Sequence, residues 1–471
     1  MVSAWHRTKI ICTLGPATDR LELLEQMILR GMDVARINTA HGSRESHAKQ
    51  IRLVREAAAT CGEPVAVLVD LPGPKFRVGD LKEPFAELRS GTRVILGEKV
   101  AQGMVIPLSH PHLIRELRVG EAVYLADGSV RLQVVETGTD YAVCQVEIGG
   151  MIRSGAGINV PQSQLSTEIP TEEDLEQIAF ALGEKADWLG VSFVRTAEDI
   201  RRLRAHLPAE RSPKVMAKIE KQQAIAELEA IIYAADGVMV ARGDLGVETD
   251  LAEVPLLQKK IVRLANELGR PVVVATQMLE SMINHGQPTR AEVTDVANAV
   301  LDGADGVMLS GETAVGRFPL QAVEMLGKVV TATENNYPYG GILQDAAQRL
   351  SSSSEEAMSL VACRLSLELG AKAIITPVSR MQTALRISRF RPKAPILAVS
   401  KSETLCRQLA VAWGIAPLFS DAIDHTELCV AKAKEWLVQR QMAAPGDPVV
   451  VLSASDPSGG HLSDTVEIVR L

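Results

Sequence analysis

The sequence predicts an α/β protein: a (β/α)8 TIM barrel, an inserted small β-barrel-like cap domain and a C-terminal open α/β domain. Three observations carry this. Eight short aliphatic runs each lead, in time, into a helix-length amphipathic segment, the count that closes such a barrel. After the third run the pattern switches to strict alternation with Asp-Gly and Gly-Thr turns for some eighty residues. Beyond a Ser-rich break the strand–helix rhythm resumes. Aromatic residues make up only 3% of the 471 residues, so the core must be aliphatic, as suits parallel strands covered on both faces.

In order, the expected strands are Lys9–Thr13, Val34–Asn38, Val65–Asp70, Trp188–Val191, Val215–Ile219, Gly237–Ala241, Val272–Ala275 and Gly306–Leu309. The helical patterns are Leu21–Arg30, Ser43–Thr60, Glu172–Leu182, Ala197–His206, Ala224–Ala234, Leu256–Leu268, Arg290–Leu301 and Pro319–Thr333. The expected division is a first barrel part at 1–77, the cap at 78–158, the second barrel part at 159–345 and the C-terminal domain at 346–471. Within the last, "KAIITPVS", "PILAVS", "PLFS" and "PVVVLSAS" read as strands, after the linker "AQRLSSSSEEAMS" with its helix N-cap serine.

Composition narrows the function. A formal charge of −8 gives no basic footprint, so nucleic acid is not an expected partner. No 18-residue apolar stretch exists and "MVSAWHRTKI" has no signal-peptide core, so a membrane is not expected either and the expected location is cytoplasmic. Six scattered cysteines without a C-x-x-C pair argue against a zinc site or a disulfide framework.

In barrels of this kind chemistry gathers at the C-terminal strand ends. Reading only those ends gives Arg36, Asn38, Asp70, Arg77, Ser192, Lys218, Glu220, Asp244, Thr276, Gln277, Ser310 and Glu312. Lys218 and Glu220 in "VMAKIEKQ" are two residues apart in a strand, so they project to one face. The plain alternative is a strand-end ion pair. Glu220 and Asp244, from adjacent strands, suit one Mg²⁺, which takes a few carboxylates and completes its shell with substrate oxygens and water. For Asp244 the competing role is an N-cap for the turn that follows it. Gly243 and Gly246 in "ARGDLG" allow close backbone approach to an anion. A lysine beside that metal, with Arg36 and Arg77 near, points to a phosphorylated substrate.

The segments "TKIICTLGPAT", "MDVARINTAHG", "DLPGPKFRVG", "GINVP", "MAKIEK", "VMVARGDLGVE", "ATQMLESMI", "PTRAEVTDVANAVLDGADGVMLSGETA" and "FRPKAPILAVS" resemble the pyruvate kinases, in order and along nearly the whole chain. The resemblance implies phosphoryl transfer from phosphoenolpyruvate to ADP, giving pyruvate and ATP, with Mg²⁺ or Mn²⁺ as cofactor and a homotetrameric assembly. It implies that Glu220 and Asp244 hold the metal and that Lys218 neutralises the phosphoryl group in flight and the enolate left behind. Thr276 falls beside the enolate face, and Ser310 and Glu312 fall where the family places a proton relay. Arg36 and Arg77 fall on the transferred phosphate and Asp127 in the cap turn near the nucleotide. Asn38, His41, Ser192 and Gly243 complete the expected substrate and nucleotide contacts.

Three departures stand out. The family's monovalent-cation site keeps Asn38 and Asp70, but its Ser and Thr positions are Ala40 and Leu71, and Lys75 stands where potassium-dependent members carry Glu. An ammonium group there supplies the missing charge, so K⁺ is not expected to be required. Before "GINVP" the family's phosphate-binding lysine is Ala156, and Ala126 replaces an acid in the cap turn. The effector loop reads "VSRMQTA", keeping Ser379 and Thr383 without glycine, so sugar-phosphate activation is expected to be weak, altered or absent. Two alternatives remain: a diverged paralogue with impaired or altered nucleotide use, or a Mg²⁺-dependent enolate aldolase or lyase on the same barrel.

Overall fold

The computed structural model describes residues 4–97, 104–163, 167–210, 212–348, 353–421, 426–453 and 465–471. Eight parallel strands close a barrel. They are β1 (Lys9–Thr13), β2 (Met32–Asn38), β3 (Ala66–Asp70), β4 (Trp188–Val191), β5 (Lys214–Ile219), β6 (Gly237–Ala241), β7 (Val272–Ala275) and β8 (Gly306–Leu309). β1 closes the cylinder on β8, with Lys9 opposite Gly306.

Strand periodicity decides what faces the axis. Val215, Ala217 and Ile219 of β5 pack outward against the helices. Met216, on the other face, joins Ile11, Val34, Leu68, Trp188, Met239 and Met308 in an apolar plug. Continuing each inward row by two residues reaches Thr13, Arg36, Asp70, Lys218 and Ser310. The polar rim is thus the upper layer of the same faces that form the plug.

The helices cover the outside as expected, apart from a one-turn helix at Gly311–Ala314 and three larger differences. The segment after β5 is two helices, Gln222–Ala226 and Leu228–Ala234, rather than one. A short helix, Arg242–Glu248, follows β6, although its two glycines read as a turn. Another, Tyr339–Ala347, lies outside the expected set; its Tyr339 packs with Tyr337 and Trp413, a contact between segments some seventy residues apart.

The cap leaves the barrel after β3. Six strands pair in the order Ile158–Asn159, Ala122–Leu125, Val130–Thr137, Tyr141–Ile148, Arg93–Gly97, Met104–Ile106, and Gly150–Arg153 pairs separately with Phe85–Leu88. All pairings are antiparallel except Arg93–Gly97 with Met104–Ile106. The cap turn 126–128 rests on the barrel: a Cβ at Gly128 would stand 3.2 Å from Val247 Cγ2.

The C-terminal sheet runs Ile415–Phe419, Ile396–Ser400, Ile374–Pro377, Pro448–Ser453, Thr465–Arg470. Its last strand, antiparallel at the edge, is absent from the sequence-based expectation because its polar edge residues give no apolar run. The expected linker residues 349–352 and the end of "PVVVLSAS" at 454–455 lie outside the described residues. Buried polar pairs fasten this domain beneath the barrel. Asp187 accepts from Arg55 (2.7 Å) and Arg407 (2.9 Å), Trp188 donates to the Gln408 carbonyl (3.0 Å), and Arg391 pairs with Asp305 (3.0 Å). All six cysteines are free.

Candidate active site

Lys218 is the centre of the rim. Its ammonium lies 2.8 Å from Glu220 Oε1, 3.3 Å from Asp70 Oδ2 and 2.8 Å from Ser192 Oγ. Burial works against that charge, yet Asp70 and then Glu220 outweigh it, so Lys218 titrates above the ordinary lysine range. Burial pushes the Glu220 carboxyl up, Lys218 opposes this and nearby Asp244 adds to it. Asp70 is buried as well, but Lys218 and Arg36 hold its carboxyl below the usual range.

Around this centre the strand ends interlock. Arg36 binds Asp70 through Nε (2.8 Å) and again through Nη2, while its Nη1 donates to Thr13 Oγ1 (3.0 Å). The Phe193 amide donates to Glu220 Oε2 (2.8 Å), and Ser192 Oγ donates to the Leu71 carbonyl (2.7 Å). Glu220 thus has one oxygen on backbone and one on lysine.

Asp244 acts electrostatically on both Lys218 and Glu220. Among the described residues no hydrogen bond or ion pair reaches its carboxylate, so it is not an N-cap. An unpartnered carboxylate beside a second one whose pKa its charge raises is a donor set suited to a divalent cation. No group of three or more His, Cys, Asp or Glu side chains is gathered for a metal among the described residues. Two carboxylates leave the remaining positions to substrate oxygens and water, the mode Mg²⁺ favours.

Thr276 carries backbone strain. Its φ is 71°, in the left-handed region that a β-branched residue avoids, and Gln277 follows at 55°. Three bonds hold it there: its Oγ1 accepts from the Gly243 amide (2.8 Å) and donates to the Ala275 carbonyl (2.6 Å), and Arg242 binds its carbonyl (2.7 Å). The Gly243 amide is therefore committed to Thr276. Glu312 is buried with its oxygens on the amides of Leu279 (3.0 Å) and Ser310 (2.7 Å), tying the loop after β7 to the turn after β8. Ser310 Oγ is buried without a partner.

A second cluster lies between rim and cap. Lys75, Arg77, His41, Asp127, Arg153 and Gly157 line a cavity of about 270 Å³. Arg77 donates to the Gly155 carbonyl (3.0 Å) and so belongs to the cap side, whereas Arg36 stays in the rim network. Burial, then Lys75, Arg77, Arg36 and Arg153, lowers the His41 pKa below 6.5. Asn38 keeps its Oδ1 on the Ala40 amide (3.2 Å).

With this geometry in view, the models of the pyruvate kinase barrel domain and of the pyruvate kinase alpha/beta domain match residues 5–323 and 356–469. The chain belongs to the pyruvate kinase family. By that membership it is a phosphotransferase. It is 39% identical over 451 residues to the pyruvate kinase of Methylorubrum extorquens, covering 95% of this chain and 94% of that one. It is 37% identical over 460 residues to that of Geobacillus stearothermophilus (96% and 78%), and 35% identical over 471 residues to that of Clostridium acetobutylicum (99% of each).

Several supports of this pyruvate kinase site escaped the sequence reading. Arg242 grips Asp295 (2.7 Å) as well as the Thr276 carbonyl. Buried Glu248 takes Lys221 (2.7 Å) and the Asn159 amide group (3.1 Å) on one oxygen, joining the end of the cap to the barrel. Both charges lie within the quoted segment "VMVARGDLGVE"; their partners, elsewhere in the chain, gave no signal.

Proposed function

We propose that this chain transfers the phosphoryl group of phosphoenolpyruvate to ADP with Mg²⁺ or Mn²⁺ and without a requirement for K⁺. The observation that carries the reading is the Lys218 ammonium held between Asp70, Glu220 and Ser192, beside unpartnered Asp244. Glu220 and Asp244 would hold the divalent ion, which when bound supplies charge neutralisation for substrate oxygens. Glu220 would do so by giving up its contact with Lys218, which would leave the ammonium for the phosphoryl group.

In the reaction the bond from phosphorus to the enol oxygen breaks as one forms to a terminal oxygen of ADP. Lys218 offsets the charge on both the moving group and the enolate. The enolate carbon then takes a proton and becomes the methyl of pyruvate. A threonine hydroxyl is a poor acid, so Thr276 orients a water as donor, and Ser310, with its unpartnered hydroxyl, relays the proton. Glu312 contributes by holding Ser310 in place.

Lys75 stands in for potassium as the fixed charge near the phosphate. Supporting this, Asp70, one of the retained cation-site residues, already receives Arg36 and Lys218, and Lys75 faces the cavity beside them. A homotetramer in the cytoplasm belongs to the same reading. Exposed Leu251 (74%) and Leu256 (67%) on the barrel flank support association, and no described helix is long and apolar enough to cross a membrane.

The test is pyruvate formation by the purified protein from phosphoenolpyruvate, ADP and Mg²⁺, with and without K⁺. Turnover that K⁺ leaves unchanged is expected; K⁺-dependent turnover refutes the role of Lys75, and no turnover refutes the reaction. The second reading, altered nucleotide use, has Ala156 in its favour: the side chain is 7% exposed and packs in the apolar core of the cap. Turnover with another nucleoside diphosphate but not ADP would select it.

A further inference from the structure

The cavity between rim and cap has an unbalanced charge. Lys75, Arg77 and Arg153 face it with Asp127 as the one acid among its lining residues. Arg77 is anchored on the Gly155 carbonyl. Neither Lys75 nor Arg153 has a side-chain partner among the described residues. They stand on different bodies: Lys75 on the barrel side, at the hinge, and Arg153 at the end of the cap strand Gly150–Arg153.

The turn that follows Arg153 is tied down by backbone hydrogen bonds. Its carbonyl accepts from the Ala156 amide (3.1 Å), while Gly155 and Ala156 bond the backbone of Val78 (2.9 and 2.8 Å). That register sends the Ala156 side chain into the cap core and leaves Arg153 over the cavity. Its charge reaches His41 on the barrel. Two partnerless cations across a small cavity call for an anion carrying charge at more than one point.

We infer that Arg153 is the side chain by which the cap holds the diphosphate of the nucleotide, with Lys75 opposite it, so that the bound polyanion draws cap and barrel together. This rests on the phosphoryl-transfer reading above and adds a residue to it. Arg153 positions the phosphate acceptor and takes no part in proton transfer.

The experiment has two arms, on full-length protein. In the first, inorganic pyrophosphate is titrated calorimetrically. Arg153→Ala is expected to weaken its binding about tenfold or more, the size of a charge-assisted hydrogen bond at a partly solvated site, and Arg153→Lys to recover much of it. In the second, Arg153→Ala raises the KM for ADP by a similar factor while the KM for phosphoenolpyruvate stays within about twofold, a split that general loosening of the fold would not give. Unchanged pyrophosphate affinity overturns the inference, as does a tenfold fall in the ADP KM on Ala156→Lys, which would place the missing cation at 156. If the parent protein makes no pyruvate, the phosphoryl-transfer reading fails and the pyrophosphate arm still decides on Arg153.

Discussion

The rim around Lys218 and the cavity beneath the cap are both rich in charge, yet they are built in opposite ways. At the rim the charges other than Asp244 are bonded to one another: Asp70 and Glu220, each 1% exposed, share Lys218, and half-buried Arg36 binds Asp70. Across the cavity Lys75 and Arg153 are solvated and partnerless. The rim stands on strands whose lower halves are locked in the barrel plug, so its groups are preorganised for charge that develops during reaction. The cavity spans two bodies joined by a hinge and suits capture and closure. Removing a rim group should therefore damage chemistry or folding, and removing a cavity group should damage affinity.

The sharpest test is Lys218→Met. Losing one preorganised cation at the reacting group is expected to lower kcat about 10³-fold, with the KM for ADP little changed, as steady-state kinetics would record. A fall confined to nucleotide KM would erase the distinction between the regions.

Where the two regions meet, Glu248→Ala strands Lys221, which is 7% exposed, and releases Asn159. Breaking a buried pair from one side costs about 3 kcal/mol or more, and thermal unfolding should begin at a lower temperature, with faster proteolysis at the cap hinge. Unaltered melting and cleavage would mean that the hinge is held elsewhere.

The smallest effect belongs to His41. Burial, and then the surrounding cations, lower its pKa from the ordinary histidine value of 6.5. A bound polyanion offsets them and raises its pKa, so binding takes up a proton in the interval between the two values. Affinity then strengthens as pH falls through that interval, by less than about tenfold given the partial exposure. Comparing pyrophosphate titrations of the parent and His41→Asn isolates this from the ligand's own protonation; identical slopes would remove His41 from the cavity's electrostatics.

Of the fold, the barrel was legible nearly to the residue. β1, β4, β6, β7 and β8 match the expected bounds, and β2, β3 and β5 differ by one or two residues, because strands covered on both faces must be continuous aliphatic runs. The helix Arg242–Glu248 was not, since its glycines argue for a turn and packing against the barrel overrides that preference. Of the site, the two-residue period placed Lys218 beside Glu220, and the same period explains why Arg36 and Asp70 join them. The strain at Thr276, the Arg242 clamp and the inward direction of Ala156 left no trace in local pattern.

The sequence by itself determined the architecture and the inward-facing polar rim, because strand periodicity and apolar runs are local properties. Only the tertiary structure decided which charges neutralise one another and which stay unpartnered. Pairing depends on distances between residues tens to hundreds of positions apart, and on burial, which sets how much an unpaired charge costs.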